Sequence, residues 1–285
     1  DNEENYVIFD QKMHIRAVTR LQLETDLRFA IERNEFELYY QPIISLDTAA
    51  LSGFEALVRW KNPQRGLVPP NEFIPISEST GLIIPMTVQI LHAACSQVVK
   101  WQSRSNLSEP LSIAVNLSGK HFGHPALVEQ IQTVIAETGI NPESLKLELT
   151  ESAVMDNAET AILMLKQIKE TGVRVSIDDF GTGYSSLSYL HKFPLHKVKI
   201  DRSFVRNITT DKKSAKLLRG VTRLGAELGL SVVVEGVETH EQLKLIDAPG
   251  VVSEVQGFIL SPAIPNDQIR VMMARSGKDL LARAA

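Results

Sequence analysis

Strand-then-helix units repeated along one chain predict an α/β fold, a TIM-like (β/α)8 barrel whose first strand runs antiparallel to the second in a hairpin over residues 36–60. Three observations carry this expectation. Apolar β-type runs alternate with helical periodicity about eight times, as a parallel barrel requires. The 285 residues suit one barrel of roughly 250 residues with a short appendage better than two small domains. With 44% hydrophobic residues the chain can bury a large core.

Residues 1–19 are polar apart from Tyr6-Val7-Ile8-Phe9 and read as a linker or the tail of a preceding domain, which leaves 20–285 for the barrel. Over residues 20–33, Leu23, Leu27, Ala30 and Ile31 recur at i, i+4, i+7 and i+8, one face of an amphipathic helix. Residues 36–46 and 51–60 are β-rich runs joined by a polar turn around Asp47 and Thr48, hence the hairpin. Pro and Gly mark a loop over 62–70, and helical patterns occupy much of 71–103. Further strands are expected at 111–117, 145–149, 173–177, 197–200, 231–234 and 255–260. Helices are expected at 125–138, 158–171, 214–228, 241–247 and 265–274.

A formal net charge of −4 and a pI near 6.0 provide no basic surface, which argues against polymeric nucleic acid but leaves room for a small phosphate ligand held through metal ions. The single cysteine, Cys95, lies in an apolar helical run and reads as a core thiol, in keeping with a reducing compartment. There is no apolar run of membrane-spanning length and no signal peptide, so the expected location is cytoplasmic, without direct membrane contact from this segment. Beginning at Asp1, the chain reads as a piece of a longer parent, and a membrane anchor elsewhere in that parent is compatible with this reading.

The polar residues distinguish this barrel. Glu55 lies in the second run, Asn116 ends the third, Glu148 is near the end of the fourth and Asp178 ends the fifth. Lys199 is near the end of the sixth, Glu235 ends the seventh and Gln256 lies in the eighth. Strand C-termini build the site in such barrels, so these groups should converge on one mouth. Period two supports the reading: Glu55, Leu57 and Arg59 share one face, Lys146, Glu148 and Thr150 another, and Arg174, Ser176 and Asp178 a third. Asp178 and Asp179 are adjacent, and they can serve one site only if the strand stops there, which the following Gly181-Thr182-Gly183 suggests. An ion-pair network fails on charge, because four acids and Asp179 face one lysine; hard oxygen donors in excess suit magnesium or manganese. His121 and His124 read as a polar loop, and Trp60 and Trp101 as packing residues.

These residues fall in a series of motifs: Tyr40-Gln41-Pro42-Ile43, Glu55-Ala56-Leu57-Val58-Arg59-Trp60, Phe73-Ile74-Pro75, Val115-Asn116-Leu117-Ser118 and Glu148-Leu149-Thr150-Glu151-Ser152. Asp178-Asp179-Phe180-Gly181-Thr182-Gly183, Lys199-Ile200-Asp201-Arg202-Ser203-Phe204-Val205, Glu235-Gly236-Val237-Glu238-Thr239 and Gln256-Gly257-Phe258 follow. Over residues 23–274 their order and spacing resemble the EAL domain, the family of bacterial phosphodiesterases that hydrolyse cyclic di-GMP. Residues 6–33 also resemble the connector between a GGDEF and an EAL domain in composite signalling proteins.

The resemblance implies hydrolysis of cyclic di-GMP to linear pGpG with two ions of Mg2+ or Mn2+, and inhibition by Ca2+. Glu55, Asn116, Glu148 and Asp178 would hold one ion, Asp179 with the shared Asp178 the second, and Glu235 would ligate directly or through water. Glu55, Lys199 and Glu235 form the implied catalytic set, with Lys199 orienting water or stabilising developing charge and Glu235 suited to act as general base. Gln41, Leu57, Arg59, Asp201, Glu238 and Gln256 would contact substrate or its water network. Glu151, Gly181 and Gly183 would stabilise the Asp-Asp-Phe-Gly loop. A homodimer through the 179–205 region and the helix after it is implied as well. Phe258 stands where tyrosine is common, His196 where aspartate is frequent, and Ser261-Pro262 lacks a preceding basic residue; none of these removes a ligand. The alternatives are a non-catalytic cyclic di-GMP receptor, which usually lacks part of the ligand set, and a two-carboxylate glycosidase using Glu148 and Glu235, which 6% aromatic content does not favour.

Overall fold

The computed structural model describes residues 11–104, 110–183, 187–248 and 250–274. The chain from Gln11 to Arg33 contains neither Gly nor Pro, and it forms one helix, α1 (Gln11–Arg33). The helix thus begins nine residues before the expected start at Arg20 and twelve before Leu23, the first residue of the buried apolar face it shares with Leu27 and Ala30, because uninterrupted helix formers propagate a turn already nucleated by packing. The rest of the expected linker, residues 1–10, lies outside the described residues.

Then come β1 (Phe36–Ser45) and β2 (Leu51–Asn62), paired antiparallel with Gln41 opposite Glu55 and Tyr40 opposite Ala56. Opposed residues share a face, so the hairpin sends Gln41 and Glu55 the same way. A short β3 (Gly66–Val68) adds to β2, and α2 (Pro70–Thr80) and α3 (Ile83–Gln102) lead to β4 (Ser112–Asn116). From β2 the ring continues in parallel through β4, β5 (Leu145–Thr150), β6 (Arg174–Phe180), β7 (Lys197–Ile200), β8 (Ser231–Val234) and β9 (Glu254–Val255). β1 closes it, antiparallel to β9 as well as to β2, so eight strands form a barrel in which only the first is reversed. An outer β10 (Ile264–Pro265) pairs with β1.

Two expected strand boundaries move. The eighth run, 255–260, is a strand only at Glu254 and Val255: beyond it the backbone bonds to a loop, with Gln256 O accepting from Val237 N and Val237 O from Ile259 N. β6 does not stop before its acids but runs to Phe180. The ladder to β7 is irregular between Ile177 and Phe180, and Asp179 adopts φ 54°, so a bulge rather than a strand end redirects the second acid.

The core lies between barrel and helices. Trp60 packs edge-on to Phe73 at 5.7 Å, and Trp101 lies 4.8 Å from Tyr40 and 5.0 Å from Phe54, tying α2 and α3 to the hairpin. Cys95 is buried in α3, and burial pushes its thiol up to about 12, as befits a packing residue.

Candidate active site

Alternation along the strands turns polar side chains into the barrel at its C-terminal end. Lys199, fully buried on β7, lies at the centre: its Nζ is 2.7 Å from Glu148, 2.5 Å from Glu235, 3.4 Å from Asp178 and 3.5 Å from Glu55. Asn116 Nδ2 donates to Glu55 Oε1 at 2.7 Å. Gln256 Nε2 donates to Glu55 Oε2 at 2.6 Å and to Gln41 Oε1 at 2.9 Å, while Gln41 Nε2 reaches Ser261 O at 3.2 Å.

Four carboxylates thus share one ammonium, and their protonation reflects that shortage. Burial would lower Lys199, but Glu148, Glu235, Glu55 and Asp178 together hold it well above its ordinary value. Glu148 is driven up by burial, opposed by Lys199 and reinforced by Glu55, Asp178 and Glu235. Burial likewise lifts Glu235 to about 7 against the pull of Lys199. Glu55 goes the other way: burial raises it, but Lys199 and the hydrogen bonds from Gln256 and Asn116 outweigh that and hold it low.

Asp179 stands apart. Its carboxyl is raised by burial and by Asp178, and it lines a separate cavity of about 400 Å³ with Thr182, Asp201, Arg202, Ser203 and Arg206. Asp201 caps the turn after β7, its Oδ1 accepting from Ser203 N at 2.9 Å. Behind the loop, buried Glu151 accepts from Gly181 N at 3.1 Å. Gly181 has φ 90°, and a Cβ at Gly183 would lie 3.2 Å from the Glu151 carboxylate. Tyr184, Ser185 and Ser186 lie outside the described residues.

The substrate-side residues line the main cavity of the mouth, also about 400 Å³, walled by Gln41, Leu57, Arg59, Glu238 and Phe258 with Glu55, Glu235 and Gln256 at its floor. Arg59 is tethered: Nη1 donates to Val58 O at 2.9 Å, and the guanidinium lies 5.4 Å from the Tyr39 ring centroid. A larger space of about 480 Å³ lies outside the barrel between α3 and the helix Leu127–Thr138 and gathers no comparable cluster of charge.

The donors fit a hard divalent cation in chemistry: an excess of carboxylate oxygens around a single ammonium, with the Asn116 amide beside them. Their present arrangement serves Lys199 instead, and among the described residues no three acidic, histidine or cysteine side chains are grouped as a ready-made metal site. Sequence reasoning missed two features. One is a buried charged cluster one layer below, where Glu254 contacts Lys197 and lies 3.9 Å from Lys146. The other is Arg202, which lines both cavities. The sequence already placed Lys146 on the Glu148 face, and the same period-two offset from Lys199 could have flagged Lys197, but nothing local announces Arg202.

A closed eight-stranded barrel with a reversed first strand and an acidic, lysine-centred mouth defines the general class. A profile of the EAL domain matches residues 24–263, and the chain belongs to that family. It is 39% identical over 269 residues to the bifunctional diguanylate cyclase/cyclic di-GMP phosphodiesterase MucR of Pseudomonas aeruginosa, covering 94% of this chain and 39% of that one. It is 36% identical over 261 residues to the cyclic di-GMP phosphodiesterase NbdA of the same organism, covering 92% and 33%. The chain therefore spans well under half the length of these curated relatives. The solved structure of the PaMucR phosphodiesterase in complex with c-di-GMP superposes with a TM-score of 0.82 at 40% identity, covering 87% of this chain and 99% of that one.

Proposed function

We propose that this chain is a metal-dependent phosphodiesterase that hydrolyses cyclic di-GMP to linear pGpG. The observation that carries the reading is the convergence of Glu55, Glu148, Asp178 and Glu235 on Lys199, two of which, Glu55 and Glu235, also line a cavity that holds Arg59 and Gln41. The family membership and the relatives' activities support it.

Glu55, Asn116, Glu148 and Asp178 would hold one Mg2+ or Mn2+, with Asp179, Asp178 and Glu235 serving a second. Such ions, when bound, neutralise phosphate charge and make a water acidic enough to attack near neutral pH. The chain's own residues do the rest. Glu235, lifted to about 7, is poised to accept a proton near neutral pH. Lys199 keeps its charge and faces the reacting region, where it stabilises negative charge that develops on phosphate oxygens. Gln256 fixes Glu55 and Gln41 in one hydrogen-bonded chain, and Glu151 holds the Gly181 amide, so the loop bearing Asp179 keeps its shape. Inhibition by Ca2+ and a homodimer through the 179–205 region belong to the same reading. No helix among the described residues is long and apolar enough to cross a membrane.

A binding-only receptor draws support from one observation, that the acids are not grouped as a ready-made metal site. Chromatography of cyclic di-GMP incubated with the protein in Mn2+, Mg2+, Ca2+ or EDTA separates the two. Conversion to pGpG in Mn2+ or Mg2+ alone is expected; tight binding without conversion in any ion would establish the receptor.

A further inference from the structure

The mouth contains two cavities, and the basic groups are unevenly deployed between them. Lys199 is buried beneath its four acids, and Arg59 is tethered to a backbone carbonyl and an aromatic ring. Arg202 differs from both. It is exposed, its guanidinium is in no salt bridge among the described residues, and among those residues it alone lines both cavities. The first cavity has Glu55 and Glu235 at its floor; the second carries Asp179, Asp201, Ser203 and Arg206.

The backbone holds Arg202 at this junction from two sides. Asp201 caps the short turn that starts with Arg202, and Arg202 packs against Gly236, the residue after Glu235. A Cβ at Gly236 would fall 2.3 Å from Arg202 Cβ and 3.1 Å from its Cα, and Gly236 has φ 66°. Any other residue there would push the Arg202 turn away from the β8 end. A guanidinium so placed, free to offer a planar fork of donors and surrounded by acids that repel any anion, suits a phosphate better than a lone ammonium does.

We propose that Arg202 is a substrate-binding residue that grips a phosphate of a cyclic dinucleotide lying across both cavities, away from the reacting phosphate above Lys199. This rests on the phosphodiesterase reading and adds to it a reason for selecting a dinucleotide over a mononucleotide, because one phosphate cannot serve both positions. Arg206, on the outer cavity alone, plays a smaller part.

The test is steady-state hydrolysis of cyclic di-GMP in Mn2+, together with calorimetric binding of cyclic di-GMP in EDTA, for wild type, Arg202→Ala, Arg202→Lys and Arg206→Ala. Arg202→Ala should raise KM and weaken binding about ten- to a hundredfold, as loss of one charge-assisted hydrogen bond does, with kcat changed only a few-fold and thermal melting unchanged. Arg202→Lys should recover part of the loss, because charge returns without the fork, and Arg206→Ala should have the weaker effect. Unchanged KM and binding in Arg202→Ala would overturn the proposal while leaving the phosphodiesterase intact, as would a fall in kcat at constant KM. A wild type that neither binds nor cleaves cyclic di-GMP would overturn the underlying reading itself.

Discussion

The barrel interior carries two charged layers of opposite sign, one at the mouth and one just below it. At the mouth Glu55, Glu148, Asp178 and Glu235 surround Lys199; below it, Lys146 and Lys197 flank Glu254. Two strands contribute to both, with Lys146 and Glu148 on β5 and Lys197 and Lys199 on β7, while Glu254 on β9 serves the lower layer alone. The lower layer is buried throughout, whereas in the upper one Asp178 and Glu235 are partly exposed and Glu55 and Glu235 line a cavity. The acidic surplus at the mouth can therefore be met by cations from solution. The basic surplus below is met internally or not at all, so the lower layer bears on the fold, and under the proposed phosphodiesterase reading the upper layer bears on the chemistry.

The largest expected effect falls on the lower layer. Glu254→Ala strands two buried lysines without a counter-ion and should destabilise the chain by about 3–5 kcal/mol, measured by urea unfolding. Next comes Glu55→Ala, which should reduce cyclic di-GMP turnover by roughly two orders of magnitude or more while shifting the unfolding midpoint far less than Glu254→Ala does. If the two variants exchange these phenotypes, the division between layers is wrong.

The smallest effect sharpens the comparison through pH. Lys146 is pushed from 10.5 down to about 7, first by burial and then by Lys197. The folded chain therefore binds fewer protons at this site than the unfolded chain between about pH 7 and 10.5. Stability from this group rises with pH across that window, and its penalty is fully present below pH 7. Lys146→Met, which keeps the length of the side chain without its charge, should raise the urea midpoint at pH 7 and flatten the rise in stability between pH 7 and 9. An equal midpoint and slope in the two proteins would show that Glu254 fully compensates the buried ammonium.

Much of the site was legible because two local rules combine: alternation assigns a face, and barrel architecture assigns a strand end. Asn116, Glu148 and Lys199 each obey both, so their convergence follows from spacing; Glu55 obeys the first alone, lying within β2 opposite Gln41. Asp179 obeys neither, because a bulge and a left-handed backbone angle place it on the second cavity, and neither feature has a sequence period. Arg202 reads in the sequence as one more polar residue after a strand. Its position depends on Gly236, which reaches it only once β8 lies beside β7.

By itself, the sequence determined the order of strands and helices, the antiparallel opening hairpin and the identity of the acids at the strand ends, since these depend on hydrophobic period and turn chemistry within a few residues. Only the tertiary structure decided which charges meet. Lys199 reaches Glu148 across 51 positions and Gln256 reaches Glu55 across 201. Such pairings are set by barrel closure and strand register, which bring distant residues into one low-dielectric space where each charge must find a partner.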